Sequence, residues 1–583
     1  MRHYKNRMVE WLAERLDEMR LHLSRPDALI QLSLLGLVTG LLAGGVIVAF
    51  RLAVEGTQAG FMPGGIEENF EALPVWLRFL LPVAGGAFIG WFFYLRADGL
   101  HVLGVARVME RMAYHQGHLT LRGFVLQFVG AAVAIVSGHS VGREGPHIFL
   151  GAASGSLLGQ YLTLPNNSIR TMVGCGTAAG IAASFNTPLA GVIFALEVVM
   201  MEYTLASFIP VILAAVSATA ISYGVFGGEP AFSLPEMQLG SLGEIPLVLL
   251  LGVITGMFSA LFVQLMHGVA ERSRVIPFWW RTTLAGVIVG LLATVVPEVM
   301  GIGYDTVNAS LLGELGLVLL VVLVISKLIA TVASVGMGIP GGMIGPSLFI
   351  GATLGSLVGT SMAMLLPDQQ IDVGFYALLG MGAMMGASLQ APLAALTAMM
   401  ELTHSPQIIM PGMLAVVVAG LTASELFRKE SLFITMLKSS GLDYNTNPVM
   451  QALRRIGVAS VMGKSFVRPG RRVAFAEAEQ LLTEGPEWLL VEDEGVPVAL
   501  MQALDLARHL QESADEEEVD LLEIPARRSE VAPIHIQATL QEALELLDGG
   551  GAEALYVERT TAPGIKRIYG VLTRELVESA YRY

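Results

Sequence analysis

Two glycine-rich loops contain the residues of this sequence best suited to do chemistry. Each loop runs into a proline and then into an apolar stretch: GHSVGREGP at residues 138–146 and GMGIPGGMIGP at residues 336–346. Proline suits the first turn of a helix, so the pattern predicts that a helix begins in each loop. The first amides of a helix lack intrahelical partners and carry partial positive charge. Two such ends that meet would bind a partly dehydrated anion, whereas a cation would need carboxylates or carbonyls.

One carboxylate distinguishes the loops, because Glu144 stands where the second loop has Ile344. An ionised Glu144 would be stabilised by the amides that hold an anion and would compete with that anion, while protonation would free the site. Glu144 is therefore the predicted gate, sensitive to pH and to anion concentration, since ionisable residues within a membrane are functional by default. Two alternatives remain: a solvent-exposed Glu144 paired with Arg143, and glycines that only serve close helix packing.

An internal repeat contains both loops. Residues 142–159 (GREGPHIFLGAASGSLLG) and 342–359 (GMIGPSLFIGATLGSLVG) match at ten of eighteen positions. A second pair of segments places Pro-Leu-Ala nine residues before Glu197 or Glu401. Two homologous halves are predicted, at about 29–230 and 240–440, with a substrate site at the midplane between them. We expect Glu197, Glu401 and Lys327, which lie in apolar stretches, to be structural caps or paired charges.

The composition indicates the environment in which the two halves fold. The chain of 583 residues is 54% apolar with a mean hydropathy of +0.62, which favours a membrane protein. Short proline-initiated segments at Pro188 and Pro392 predict half-helices that stop inside the membrane. Residues 1–28 predict an amphipathic helix that faces the cytoplasm under the positive-inside rule, so the protein is expected in the cell (inner) membrane with both termini cytoplasmic. Cys175 is the only cysteine, which excludes a disulfide scaffold.

Charged residues separate a soluble tail from the apolar body. Their share rises from about 11% in residues 1–440 to about 27% in residues 441–583, and this tail carries −10 of the net charge of −15. Nothing resembles a basic stripe, so nucleic-acid binding is not expected. Residues 474–492 and 539–558 repeat one another as a helix, a glycine turn and an apolar strand, which predicts two α/β units at about 456–512 and 527–583. The acidic run at 514–520 predicts a solvated linker.

At these residues the chain resembles the CLC family of chloride channels and chloride/proton antiporters. Gly-Arg-Glu-Gly-Pro (142–146) matches the loop of the family's external gating glutamate, and residues 338–346 match its second anion loop. The resemblance implies an α-helical polytopic membrane protein with an inverted-repeat fold of about eighteen helices, some of them broken inside the membrane. It also implies a homodimer with one pathway per subunit. Chloride or a similar small anion would be bound near Arg143, Glu144, Gly145, Met343, Ile344 and Gly345.

Three positions depart from the family pattern. Where the family commonly has an inner serine before a glycine, this chain reads Leu103 before Gly104, and the aligned tyrosine is Phe433. Neither side chain can donate a hydrogen bond to an anion, so coordination should depend on amides. Val198 stands where antiporter members commonly have an internal glutamate. Because valine cannot carry protons, we expect channel-like or weakly coupled conduction, with antiport through Glu202 or water as the alternative.

The tail resembles a pair of CBS domains, which can bind adenine nucleotides. The usual ribose contact is an Asp three residues after Ser or Thr. Here Asp505 follows Gln502, and Thr573 precedes Leu576, so each unit has one partner of the two. A nucleotide is therefore one possibility and a purely structural dimerisation platform is the other. No further cofactor is expected.

Two other classes of protein, enzymes and cation channels, share features of this sequence. Residues 138–142 fit the G-x-S-x-G pattern of hydrolases around Ser140, but that pattern needs a strand–turn–helix context and His and acid partners. No H-E-x-x-H motif occurs to hold zinc. A CBS-regulated magnesium channel is the remaining alternative, and it would require carboxylates along the pathway. The sequence therefore predicts an anion transporter that is not an enzyme.

Overall fold

The computed structural model describes residues 19–25, 28–65, 67–97, 103–228, 232, 241–367, 371–403, 408–442, 448–512, 517–562 and 565–580. The chain divides into two compact units. The membrane unit comprises residues 32–161 and 169–444, and the C-terminal unit comprises residues 1–31, 162–168 and 445–583. Of the predicted N-terminal helix over 1–28, residues 19–23 are helical, whereas residues 1–18 lie outside the described part of the chain.

The membrane unit is helical, as the composition predicts. Between Leu29 and Ser439 the described residues form seventeen α-helices, against the expected eighteen or so. Eight helices are long and apolar enough to cross a membrane. In chain order the helices are α1 Leu29–Phe61, α2 Val75–Arg96, α3 Gly104–Tyr114, α4 Leu121–Val136, α5 Glu144–Tyr161, α6 Asn166–Phe185, α7 Pro188–Phe194, α8 Leu205–Phe226, α9 Ile245–Ser273, α10 Phe278–Val295, α11 Tyr304–Leu311, α12 Leu317–Gly336, α13 Ile344–Leu365, α14 Val373–Leu389, α15 Pro392–Thr403, α16 Ile409–Leu421 and α17 Leu432–Ser439.

The two halves repeat helix by helix, with α1–α8 matched by α9–α16. The first three helices have 33, 22 and 11 residues in one half and 29, 18 and 8 in the other. The predicted half-helices are short: α7 has seven residues before a π-helical segment at Ala195–Met200, and α15 has twelve. An antiparallel bridge between Gly142 and Gly342 joins the equivalent loops, as an inverted repeat requires.

Glycines inside the helices allow the repeated helix pairs to pack closely. A Cβ atom at Gly151 of α5 would lie 2.1 Å from the carbonyl oxygen of Gly176 in α6. The equivalent Gly351 of α13 would place its Cβ 2.4 Å from the carbonyl oxygen of Gly380 in α14. The packing explanation for glycine is therefore correct for these helices, where small residues let backbones approach without side chains between them.

Three intramembrane charges are structural, as predicted. The carboxylate of Glu197 accepts hydrogen bonds from the amides of Leu393 and Ala394, at 3.1 and 2.7 Å, at the start of α15. Glu401 does the same at the start of α7. Its oxygens accept from Leu189 and Ala190 at 2.9 and 2.7 Å. Each half thus caps a broken helix of the other half.

Lys327 is the third of these charges, and it is fully buried. Its Nζ atom donates to the carbonyl oxygens of Val299, Gly301 and Ile302 at 3.1, 3.0 and 3.3 Å. An ammonium group has three hydrogens to donate, and this segment supplies three acceptors. Lys327 therefore fixes the chain segment that leads into α11.

The C-terminal unit is an α/β structure. Its strands are β1 Phe466–Val467, β2 Arg472–Ala474, β3 Trp488–Asp493, β4 Val496–Gln502, β5 Glu518–Asp520, β6 Arg528–His535, β7 Ala554–Ala562 and β8 Ile565–Thr573. Six strands form one sheet in the order β1-β3-β4-β6-β7-β8, and β2 pairs with β5. The helices are α18 Pro448–Arg454, α19 Val458–Val461, α20 Phe475–Thr483, α21 Ala503–Glu512, α22 Leu540–Asp548 and α23 Arg574–Ser579.

The predicted repeat in this unit is present as α20-β3-β4-α21 and α22-β7-β8-α23. The linker prediction for the acidic run is wrong for residues 518–520. These residues form β5, antiparallel to β2, and Asp520 pairs with Nε of Arg471 at 3.0 Å. Pairing with a neighbouring strand and a guanidinium overrides the preference of an acidic run for solvent.

Candidate functional site

The two glycine-rich loops meet where α5 and α13 begin. Gly142 and Gly342 each donate an N–H to the carbonyl of the other, at N–O distances of 2.8 and 2.7 Å. A Cβ atom at Gly145 would lie 2.6 Å from Cα of Gly342, so the loops could not approach this closely with larger residues. The two buried helix starts therefore lie side by side.

Glu144 lies at this junction and is fully buried at the first position of α5. Its Oε2 atom accepts a hydrogen bond from the amide of Gly345 at 3.1 Å, and its Oε1 atom accepts one from the hydroxyl of Tyr304. The carboxylate of one half thus binds an amide at the helix start of the other half. An exposed Glu144 paired with Arg143 is excluded by this burial.

Two cavities adjoin the junction. The basic cavity has a volume of about 610 Å³, and Gly104, Gly145 and Met343 are among its lining residues. The acidic cavity has a volume of about 380 Å³ and is lined in part by Arg143 and Tyr304. Because Arg143 and Gly145 flank Glu144 in the sequence but line different cavities, Glu144 lies between the two.

The acidic cavity is named for its five carboxylates, which outnumber its two arginines. These residues are Glu55, Glu67, Glu68, Glu71 and Asp305 with Arg51 and Arg143. Both guanidinium groups contact Glu55, at 3.0 Å from Arg51 and 3.6 Å from Arg143. The Arg143 guanidinium also lies 5.2 Å from the centre of the Tyr304 ring.

Glu68 lies in the loop between α1 and α2 and has a φ of +56°, a conformation that side chains other than glycine rarely adopt. Its carboxylate accepts from the amides of Ile302 and Gly303 at 3.2 and 3.4 Å, immediately before Tyr304. Burial raises the pKa of Glu68 from 4.5 to about 7, although Arg143 and these amide contacts oppose the shift. The pKa of Glu68 therefore lies near neutral pH.

The basic cavity carries three arginines and one glutamate. Arg107 pairs with Glu110, and Arg274 and Arg281 also line the wall. The substituted positions Leu103 and Phe433 lie in this wall and present apolar side chains, as their residue types require. The amide of Gly104, which has a φ of +73°, donates to Oε1 of Gln127 at 2.8 Å and is thus already bonded.

The remaining predicted residues of the membrane unit have defined places. Ile344 is 2% exposed at the first position of α13, and Met343 precedes it at the N-cap position without a capping hydrogen bond from its side chain. Val198 is buried in the π-helical segment after α7, and Glu202 accepts a hydrogen bond from the hydroxyl of Ser207. Ser140 is buried and its Oγ lies 3.0 Å from Oγ1 of Thr331, so that its described partner is a hydroxyl and not a histidine base.

The two predicted nucleotide contacts lie at the start of the second helix of each repeat in the C-terminal unit. Asp505 is in the first turn of α21. Thr573 ends β8 and caps α23, where its Oγ1 atom accepts from the amide of Leu576 at 3.4 Å. The Thr573 hydroxyl is therefore engaged in helix capping.

Four residues of the site are missing from the sequence-based prediction: Glu68, Gln127, Arg281 and Tyr304. Each is brought to the site by a contact between residues distant in sequence. Tyr304 meets Glu144 across 160 positions, and Gln127 meets Gly104 across 23. In the sequence, the only signal for these four residues is a polar side chain close to an apolar stretch. Many residues outside the site share that signal.

Comparisons with known proteins agree with this architecture. The profile described as "Voltage gated chloride channel" matches residues 85–424. A putative chloride channel protein ClcB-like of Ralstonia nicotianae is 37% identical over 62% of this chain and 85% of its own length. A H(+)/Cl(-) exchange transporter ClcA of Vibrio parahaemolyticus is 30% identical over 75% of this chain and 96% of its own.

Two solved structures share the fold. A slow cyanobacterial Cl-/H+ antiporter has a TM-score of 0.63 at 22% identity, covering 70% of this chain and 97% of that chain. A eukaryotic CLC transporter has a TM-score of 0.61 at 20% identity, covering 94% of this chain and 98% of that chain. Fold and repeat together define a polytopic membrane transport protein of the inverted-repeat class. Within that class, the chain belongs to the voltage-gated chloride channel (CLC) family.

Proposed function

We propose that this protein moves chloride or a similar small anion across the membrane along a pathway gated by Glu144. The observation that carries the proposal is the place of the Glu144 carboxylate, which is buried between the two cavities on an amide of the opposite helix start. Amides that stabilise a carboxylate also stabilise a free anion. When Glu144 takes a proton and leaves, an anion can occupy the same amides.

We further propose that conduction is channel-like or weakly coupled to protons. Val198 is the basis for this, because an aliphatic side chain neither accepts nor donates a proton. Some relatives are named H(+)/Cl(-) exchange transporters and others are named chloride channels, so family membership is compatible with either mode. Glu202 is the residue that would serve antiport.

Proteoliposomes distinguish the two modes. A chloride gradient is imposed across vesicles that contain the whole protein, and chloride and proton movements are recorded together. Uncoupled conduction predicts chloride flux without sustained proton uptake against a gradient. Sustained uphill proton movement would contradict uncoupled conduction and would support antiport, and a loss of that movement in Glu202→Gln would assign the route.

A magnesium channel is the second candidate, because five carboxylates line the acidic cavity. Hard divalent cations take oxygen ligands, whereas the junction at Glu144 offers amide hydrogens from Gly345. Reversal potentials under separate chloride and magnesium gradients distinguish the candidates. A potential that follows chloride supports the anion pathway, and one that follows magnesium overturns it.

We also propose that the C-terminal unit is a cytoplasmic CBS pair, that the protein is a homodimer in the cell membrane, and that each subunit has its own pathway. The α/β repeat supports the first part, and family membership supports the others. A further part of this proposal is that the pair binds an adenine nucleotide at Asp505 and Thr573. Calorimetry with adenosine triphosphate tests it, and heat that Asp505→Asn abolishes would favour a nucleotide site over a dimerisation platform.

A further inference from the structure

We propose that the basic cavity contains a second anion site centred on the guanidinium of Arg281, and that a planar oxyanion such as nitrate or bicarbonate is its preferred ligand. The proposal rests on the proposed anion pathway and adds a ligand class and a specificity residue to it. Its support comes from the position of Arg281, from unbalanced charge in the cavity wall and from the scarcity of other donors there.

Arg281 lies in the first turn of α10 and packs against the second glycine-rich loop. A Cβ atom at Gly338 would lie 3.2 Å from Nη2 and 3.6 Å from Cζ of Arg281. Gly338 has a φ of +93°, which favours glycine, so the loop offers bare backbone to the guanidinium. The charged group is thus held beside the loop that leads into α13.

The positive charge of Arg281 is not balanced by a carboxylate in the part of the chain that the structure describes. Within the described residues no carboxylate pairs with Arg281 or with Arg274, whereas Arg107 pairs with Glu110. The Nε atom of Arg281 is buried and has no hydrogen-bond partner among those residues, and the guanidinium lies 4.9 Å from the Phe278 ring. A guanidinium partly removed from water is costly unless an anion accompanies it.

Other side-chain donors in this wall are few. The side chains of Leu103 and Phe433 supply none, and the two serine hydroxyls of the wall already donate to a backbone carbonyl. The amide of Gly104 already donates to Gln127. An anion that enters the basic cavity therefore finds Arg281 and Arg274 as its cationic donors without a carboxylate partner. Their charges also attract anions into the cavity from solution.

The geometry of arginine decides the ligand class. A guanidinium presents parallel N–H groups that match two oxygens of a planar oxyanion, whereas chloride offers one centre and cannot use the fork fully. The cavity of about 610 Å³ accommodates a nitrate or bicarbonate ion with accompanying water. The site should therefore bind nitrate more tightly than chloride.

A charge-restoration experiment tests the site in the whole protein in liposomes. The only native cysteine, Cys175, is fully buried, so Arg281→Cys adds one accessible thiol. We expect this variant to need about tenfold more nitrate for half-maximal flux than the parent. A cationic trimethylammonium-ethyl thiosulfonate supplies charge without N–H groups, so it should restore only the part of this loss that is due to charge. An anionic sulfonato-ethyl thiosulfonate should increase the loss.

Two further variants keep the test interpretable. Arg272→Cys is the matched control, because Arg272 is an exposed arginine that is absent from the cavity lining, and neither reagent should change its flux. Arg281→Lys keeps the charge and removes the fork. In Arg281→Lys the half-saturating chloride concentration should stay within about twofold of the parent value, whereas the half-saturating nitrate concentration should rise several-fold.

The outcomes separate this site from the anion pathway itself. Unchanged half-saturation for nitrate in Arg281→Cys, with flux intact, overturns the second site and leaves the pathway standing. Equal loss for chloride and nitrate in both Arg281 variants overturns the oxyanion preference. If the parent protein moves no anion at all, the proposed function fails first.

Discussion

The Glu144 carboxyl group accepts two hydrogen bonds, one from the amide of Gly345 and one from the hydroxyl of Tyr304. A hydrogen bond to a charged group contributes about 1.5–3 kcal/mol. Under the gating that we propose, moving an ionised Glu144 away from both donors should therefore cost several kcal/mol, which an arriving anion or proton must offset. A proton weakens both bonds at once, because it removes the charge that strengthens them.

Tyr304 is expected to hold the gate closed. Tyr304→Phe removes one of the two bonds to Glu144, so the open state should be favoured by about 1.5–3 kcal/mol. We predict at least a tenfold rise in anion flux at pH 7.5 in proteoliposomes. Tyr376→Phe is the matched control, because its hydroxyl donates to Glu244 at 3.1 Å and not to the gate. Equal flux from Tyr304→Phe and the parent would show that this bond does not hold Glu144.

Glu68 should add a second step to the pH dependence. Its pKa is raised to about 7, so it becomes neutral as the pH falls from 8 to 6, and the acidic cavity loses one negative charge. Arg143, Asp305 and Lys327 are the charged groups that act on it. Anions should then reach Glu144 more readily, and Glu68→Gln should show that higher flux already at pH 8. The measurement is flux against pH, and superimposable curves for parent and variant would contradict a role for Glu68.

The broken helices α7 and α15 depend on carboxylates from each other's half of the chain. Each of Glu197 and Glu401 satisfies two helix-start amides that have no intrahelical partner. Because the two caps are equivalent in the inverted repeat, each should contribute a similar amount to the free energy of unfolding. Loss of either cap should therefore lower that free energy by about the same amount.

Glu197→Ala and Glu401→Ala should each destabilise the protein by about 1–2 kcal/mol, the usual cost of a lost helix cap. Unfolding in denaturant, monitored on the whole protein in detergent, measures the change. Glu425→Ala is the control, because Glu425 is exposed, and its effect should stay within about 0.5 kcal/mol. A large loss for one cap and none for the other would contradict reciprocal capping.

Local signals account for what could be predicted at this scale. A glycine-rich loop followed by proline specifies a helix start within a few residues, and the repeat specifies that there are two of them. Glu197 and Glu401 could be predicted as caps because the repeat places each of them nine residues after the proline of a predicted helix start. The contacts of Tyr304 and Arg281 depend instead on how distant helices pack, and the strand at 518–520 depends on pairing with β2, which its acidic composition does not indicate.

At the scale of the whole membrane unit, the two cavities differ in the sign of their charge. The acidic cavity has five carboxylates and two arginines, and the basic cavity has three arginines and one glutamate. Charged mouths of this kind raise or lower the local concentration of anions and so change their rate of arrival. In the pathway that we propose both cavities lead to Glu144, so the asymmetry should act on the direction of flux.

We therefore predict rectification. In a planar bilayer with symmetric dilute chloride, anion current that enters from the basic cavity should exceed current that enters from the acidic cavity. Raising the ionic strength from roughly 0.05 to 0.5 M should reduce the difference, because the screening length falls several-fold. Currents that are symmetric at both ionic strengths would show that the cavity charges do not steer anions.

The central claim is that Glu144 and the anion compete for one place between the cavities. The most direct measurement is anion flux between pH 5 and pH 8 for the parent and for Glu144→Gln, reconstituted at equal density. A neutral glutamine cannot titrate, so we predict that most of the pH dependence disappears and that only the smaller step assigned to Glu68 remains between pH 8 and pH 6. A variant with the same steep pH profile as the parent would contradict the claim.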